Sequence, residues 1–278
     1  MDDIPKRIKK QIVRYEPVET EGLTLYPILV DEYEEFLISR SAIEFIHQAL
    51  PMSMVNIPLL QAYYLLDSQS ISDEKIPTGL MARSVLFLAL ALRIGQGLPV
   101  EKRIGLFRPR VNEQGKLKSV MFTPDGEEIC EITPAMFQRL RPILAAQNGL
   151  KIPEEDANPE LVAAEEELAK KKAPELEMNP ESLISAVAAL SGVDEKDVYD
   201  WPIAKLQSRQ RALHRAIDYI ICGVGEAQGT KWKKGNPCPH PFFDRRKEGS
   251  AAKVALTDFA GGAALGTVSD GVENQMQQ

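Results

Sequence analysis

Three residues in the last third of the chain have side chains that bind soft metals. Cys222, Cys238 and His240 offer two thiols and an imidazole, and Cys130 or His214 could complete a tetrahedron. The spacing argues against such a site. No paired C-x-x-C occurs, and Cys222 falls on what reads as the apolar face of a helix, where a free cysteine is an ordinary small core residue. Neither a metal nor a cofactor is expected. His47, His214 and His240 lie far apart with no serine motif near them, so Ser-His-Asp chemistry has no support. The carboxylates of Asp31-Glu32-Tyr33-Glu34-Glu35 read as a solvated first helical turn favoured by the helix dipole, not as an acid–base pair. Gly223-Val-Gly225-Glu-Ala-Gln-Gly229 lacks the Gly-Lys-Ser/Thr ending of a phosphate loop and follows a helix rather than a strand. No enzyme activity is expected.

The most distinctive stretch is Gly229-Thr-Lys-Trp-Lys-Lys-Gly-Asn-Pro-Cys-Pro-His-Pro-Phe-Phe-Asp-Arg-Arg-Lys247. Lys231, Lys233, Lys234, Arg245 and Arg246 interleave with Trp232, Phe242 and Phe243. Such a segment can stack on bases while binding phosphates. It can also dock on an acidic protein surface with its aromatics as anchors, or simply plug the end of a helical bundle. These eight residues are the candidate partner-binding set.

Composition sets the frame. The chain has 278 residues, 44% hydrophobic and 26% charged, the balance of a globular protein with a sizeable core. Net charge is -7, and its placement is uneven. Residues 151–180 hold 4 basic and 9 acidic side chains, whereas residues 205–253 hold 11 basic and 4 acidic. The overall acidity argues against a nucleic-acid partner as the main reading. Three cysteines are too few for a disulfide framework and suit a reducing compartment. The opening residues carry no apolar signal region, and the apolar run Val85 to Leu92 is far short of a membrane span. A cytoplasmic protein with no membrane partner is expected.

The pattern along the chain predicts a mainly α protein with a small antiparallel β-meander, an α+β class, in two helical lobes joined by an acidic linker. Residues 1–22 read as a mobile arm. Residues 23–150 read as a helical lobe with a β-insert. Its strand near Leu23–Val30 is limited by Pro27, and Asp31 with Glu34 suggests a capping box. Helices follow near 57–67 and 78–94, the second apolar all round and so central. Alternating runs split by Asn112-Glu-Gln-Gly115 and Pro124-Asp-Gly126 give the meander over 104–132. Thr133-Pro134 opens a helix that stops at Asn148-Gly149. Residues 151–178 read as the acidic linker, the first target of limited proteolysis. Residues 179–248 form the C-terminal helical lobe. It opens at Asn179-Pro180, and a long helix over 203–221 has Leu206, Leu213, Ala216, Ile217 and Ile220 on one face and ends at Gly223 and Gly225. Residues 249–278 read as a disordered tail. How the lobes pack is left open.

Two stretches resemble proteins of prophage tail modules from Gram-positive bacteria. They are Leu25-Tyr-Pro-Ile followed by Asp31-Glu-Tyr-Glu-Glu-Phe-Leu, and Arg215-Ala-Ile-Asp-Tyr-Ile-Ile-Cys-Gly-Val-Gly-Glu-Ala-Gln-Gly-Thr-Lys-Trp232. Together they cover less than a fifth of the chain. The resemblance is to tail-assembly-chaperone-like proteins of long-tailed bacteriophages. It implies a largely helical protein of the host cytoplasm that holds the tape measure protein, or another tail protein, before tail-tube polymerisation. It implies no catalysis and no cofactor, and it carries over no functional residue. The length and the β-insert depart from the family's pattern, so a virion structural protein stays open. So does a nucleic-acid-binding accessory protein using residues 205–253. Grooves between the helices of residues 31–95 would suit a helical client.

Overall fold

The computed structural model describes residues 4–46, 49–68, 79–152, 164, 167, 168, 179–232 and 235–242. His47, most of the expected linker and the whole of the expected tail lie outside the described residues. The fold is mainly helical with a small antiparallel meander, as the periodicity predicts. No helix among the described residues is long and apolar enough to cross a membrane.

The expected mobile arm differs from what is found. Lys6–Val13 form a helix, α1, and Val18–Thr20 form a strand, β1, paired with β2 at Leu23–Leu25. The turn between the strands is Glu21-Gly22, with φ of 53° and 74°. A two-residue loop with both φ positive matches the right-handed twist of a hairpin. Val18 and Leu25, opposite each other, are fully buried. The hairpin tip is held by Arg139, whose Nε and a terminal nitrogen each donate to Glu21 at 2.8 Å.

After Leu25 the chain breaks from the sheet ahead of Pro27. A 3-10 turn at Val30–Glu32 leads into α2, Tyr33–Ser39, and α3, Ser41–Glu44. No side-chain cap forms at Asp31, because it lies inside the 3-10 turn and not at the residue before a helix. The helix α4, Leu59–Ser68, and the helix α5, Leu80–Ala91, complete the helical layer. In α5 every residue from Ser84 to Ala91 is buried. Phe36 of α2 meets Phe87 ring to ring at 6.0 Å, and Ile43, Leu60, Tyr63, Phe122 and Phe137 belong to the same buried core.

A short helix, α6 at Val100–Ile104, precedes the meander of β3, Phe107–Val111, β4, Leu117–Phe122, and β5, Cys130–Ile132. Only β4 is a central strand, and it alone is buried nearly throughout. Then α7, Pro134–Gln147, starts where Thr133 Oγ1 accepts from the amide of Met136 at 3.2 Å. This helix carries polar ties into the core. Arg141 donates to the carbonyls of Ile43, at 2.8 Å, and Phe45. Gln147 donates to Leu25 O at 3.0 Å. Asn148, just past the helix, accepts from Ile28 N at 2.9 Å and donates to Leu144 O. Buried backbone groups in irregular segments thereby find partners that no sheet or helix supplies.

The C-terminal segment follows the sequence pattern at its start. Asn179 caps α8, Pro180–Ser191; Asp194 caps α9, Glu195–Tyr199. A 25-residue helix, α10, runs Ile203–Ala227. The described residues up to Ile152 and from Asn179 to Phe242 fall in one compact unit. Val30 N donates to Trp201 O at 2.8 Å and Ile203 N to Ile28 O at 2.9 Å, a short antiparallel bridge centred on Leu29 and Pro202. Ile184, Val187, Val198, Trp201, Ile203 and Leu206 join the same core as α5. The two helical regions thus share one core.

Candidate partner-binding arm

The helix α10 leaves the core after its first turns. Its buried residues are Ile203, Ala204, Leu206 and, much later, Cys222. Gly223 and Gly225, expected to end the helix, lie inside it. A glycine costs only about 1 kcal/mol in a helix interior, and the chain beyond the helix supports these turns. At Gly229, with φ of 87°, the chain reverses. Thr230 N donates back to Gly225 O at 2.9 Å. The returning segment then runs beside α10 as a strap.

Several contacts hold the strap. A Cβ added to Gly225 would lie 3.7 Å from Cζ2 of Trp232, so the indole rests on the glycine. Cys238 lies at the level of Arg215, its Sγ 3.6 Å from Arg215 O. Further on, Arg215 donates to Phe242 O at 3.2 Å. The ring of Phe242 meets His240 edge-on at 5.6 Å, and Phe242 N donates to His240 Nδ1. Arg215, Cys222 and Gly225 share one face of the helix by their spacing, and that is the face the strap covers. Cys222 is buried but does not belong to the core cluster around α5.

The candidate set divides. Lys231 is exposed, Trp232 is 37% exposed and leans on the helix, and Phe242 is 73% exposed. Lys233, Lys234, Phe243, Arg245 and Arg246 lie outside the described residues. Trp232 therefore combines two of the expected roles, part structural plug and part exposed surface, whereas Phe242 is nearly all surface.

The thiols and imidazoles do not converge. Seven helical residues separate Cys222 from Arg215, where Cys238 sits, a rise of roughly 10 Å. Cys130 is in β5, its thiol pushed up to about 11 by burial, which disfavours the reactive thiolate. His214 faces Asp218 at 3.4 Å on the exposed side of α10. Among the described residues no group of three His, Cys, Asp or Glu side chains is placed to hold a metal ion.

One concave site lies elsewhere. A cleft of about 580 Å³ is lined by Leu29, Asp31, Glu32, Glu35, Leu98 and Arg103 among others. Arg103, 3% exposed in its side chain, pairs with Glu32 at 2.9 Å and donates to Gly95 O at 3.0 Å. Burial raises the Glu32 carboxyl above the usual carboxylate range, and the arginine only partly offsets it. The pair ties α6 to the 3-10 turn, and the carboxylates of Asp31 and Glu35 also line the cleft.

What the sequence hid is the other side of α10. Ile217, Ile220, Ile221 and Val224 are 45%, 63%, 61% and 52% exposed. They continue the line of Leu206 and Leu213, which seats the root of the helix, but nothing among the described residues covers them. No family model matches the chain, and neither the curated proteins nor the solved structures include a significant match to it.

Proposed function

We propose that this protein is a non-catalytic binding protein of phage tail assembly, one that holds the tape measure protein in the host cytoplasm until the tail tube forms. The observation that carries the reading is the strap on α10. Its described residues touch α10 at Gly225 and Arg215 and display Phe242, Trp232 and Lys231. Rigid exposed aromatics are effective anchors, because they lose little freedom on binding, while neighbouring cations steer an acidic partner. The resemblance of Arg215 to Trp232 to tail-module proteins covers this same element.

The test is co-purification of the tape measure protein with the wild type and with Phe242→Ala. Loss of the client with unchanged circular dichroism supports the reading, and retention counts against it. Trp232→Ala is the less clean variant, since it also removes a contact with α10.

A second reading has its own observation. Arg209 and Arg211 are exposed on α10, and Lys231 is exposed on the strap. Nucleic-acid binding that falls steeply with salt, and survives Phe242→Ala, would favour that reading over the chaperone. Recovery of the protein in purified virions would favour a structural role.

A further inference from the structure

We propose that the outer face of α1 binds the phosphate backbone of double-stranded nucleic acid without reading its sequence. The site is separate from the strap, so this inference does not depend on the client reading.

The aliphatic seam of α10, formed by Ile217, Ile220, Ile221 and Val224, carries no charge that would specify a partner, whereas α1 does. From Lys6 to Arg14 the chain has five cations, Lys6, Arg7, Lys9, Lys10 and Arg14, and no carboxylate. At about 100° per residue these five fall within an arc of about 160°, and Ile8 and Ile12 point the opposite way. Ile8 and Ile12 pack against the core, while Lys6, Arg7, Lys10 and Arg14 are exposed. The apolar side thus seats the helix on the body and turns the cationic side to solvent. The far end is tied as well. Gln11 donates to Pro17 O at 3.1 Å, and Gln147 of α7 donates to Glu16 O at 3.3 Å.

Charge and spacing select the occupant. Lys6, Lys10 and Arg14 stand at successive four-residue steps, so they form one row at intervals of roughly 6 Å. Arg7 and Lys9 flank the row. A regular row of cations matches a regular row of anions, and a duplex carries one phosphate charge about every 1.7 Å of its axis. Arg14 meets Glu16 at 3.8 Å, a loose and exposed pair that a phosphate can replace. Lys151, exposed, borders the same hollow as Ile4 just ahead of the helix and adds a cation at that end.

Other polyanions fit less well. A basic helix that lies on a membrane buries its apolar side in lipid, and here Ile8 and Ile12 are already used by the body. A protein partner is held by aromatic or aliphatic anchors, and on this face the one apolar side chain is Val13. The helix has no aromatic ring, so unpaired bases find nothing to stack on. Contact with the backbone of a paired duplex remains, and such contacts fix position without carrying sequence. The net charge of -7 opposes the approach of a polyanion, so the binding is confined to low salt.

Fluorescence anisotropy of a labelled, mixed-sequence DNA duplex with the full chain tests this. The expected result is binding that weakens roughly 40-fold between about 50 and about 200 mM salt, the slope for about three neutralised phosphates. Duplexes of unrelated sequence should bind alike. Lys6→Gln with Lys10→Gln should reduce the salt slope by about 2, with circular dichroism unchanged because both side chains are exposed. Arg209→Gln with Arg211→Gln, on α10, should leave the slope as it is. Absence of binding at low salt overturns the proposal, as does a slope unchanged in the α1 variant. Loss in the α10 variant instead would assign nucleic-acid binding to the arm and overturn it too. Equal affinity for polyglutamate or for anionic-lipid vesicles overturns it by showing a site for any polyanion. If the duplex binds only after Glu154→Gln, Glu155→Gln and Asp156→Asn are combined, the face belongs to the chain's own acidic residues and not to nucleic acid.

Discussion

The central helix α5 and the outer half of α10 are both aliphatic-rich, yet their surroundings are opposite. From Ser84 to Ala91 every residue of α5 is buried, and Phe36 of α2 packs against its Phe87. From Ile217 to Val224 the seam of α10 faces outward. Apolar character says that a surface will be covered; it does not say by what. The body finds its cover within the chain; among the described residues the arm does not.

The sharpest way to break this contrast is to cut into both sides. Phe87→Ala in α5 should destabilise the fold by about 3–5 kcal/mol, the scale for a buried aromatic. Ile221→Ala should cost well under about 1 kcal/mol, since its side chain is already exposed. Urea unfolding followed by circular dichroism compares them. Equal losses would mean that the seam is covered in solution.

Next in size is the buried ion pair of the body. Arg103→Met should cost roughly 3 kcal/mol or more by stranding Glu32 without its partner, read from the same urea midpoint. The exposed pair of His214 and Asp218 on the arm is the contrast: Asp218→Asn should leave the midpoint where it is.

A pH series sharpens the same comparison. Burial raises the folded-state pKa of Glu32 above its ordinary 4.5. The folded protein then keeps a proton that the unfolded chain releases, so this group's contribution to stability falls as pH rises from 4.5 through the folded value. Arg103→Met raises that pKa further and should steepen the fall, while Glu32→Gln should flatten it. A slope unchanged in both variants would remove Glu32 as its source.

The smallest effect is expected at Gly225→Ala. The added methyl meets Trp232 and Thr230 at ordinary contact distances. The gain in helix propensity, about 0.5–1 kcal/mol, should raise the helical signal of the arm slightly. A loss instead would show that the indole sits closer to the helix than this geometry allows.

Much of the body was legible because its signals are local. The Thr133 and Asn179 caps, the all-apolar α5 and the Gly-punctuated meander each announce themselves within a few residues. The first hairpin had a signal too: Glu21-Gly22 is flanked by alternating Val18, Thr20, Leu23 and Leu25. The charged composition around it masked the pattern. The Asp31 capping box failed because a cap needs a particular backbone position, and a 3-10 turn occupies it. In α10 two glycines looked like a stop, since their support comes from Thr230 and Trp232, which only the reversal at Gly229 brings near. Of the candidate site, the strap's chemistry was plain in its residue types. Which aromatic leans inward and which stays out depends on that same reversal.

The bridge of Leu29 and Pro202 has a consequence for how the chain could be divided. The described residues up to Ile152 and those from Asn179 onward meet through main-chain hydrogen bonds and a common core. A nick in the chain between them would leave a two-piece protein whose pieces still fit. Its melting temperature would then depend on dilution, as for any bimolecular complex. The two halves made as separate polypeptides should reassemble on mixing.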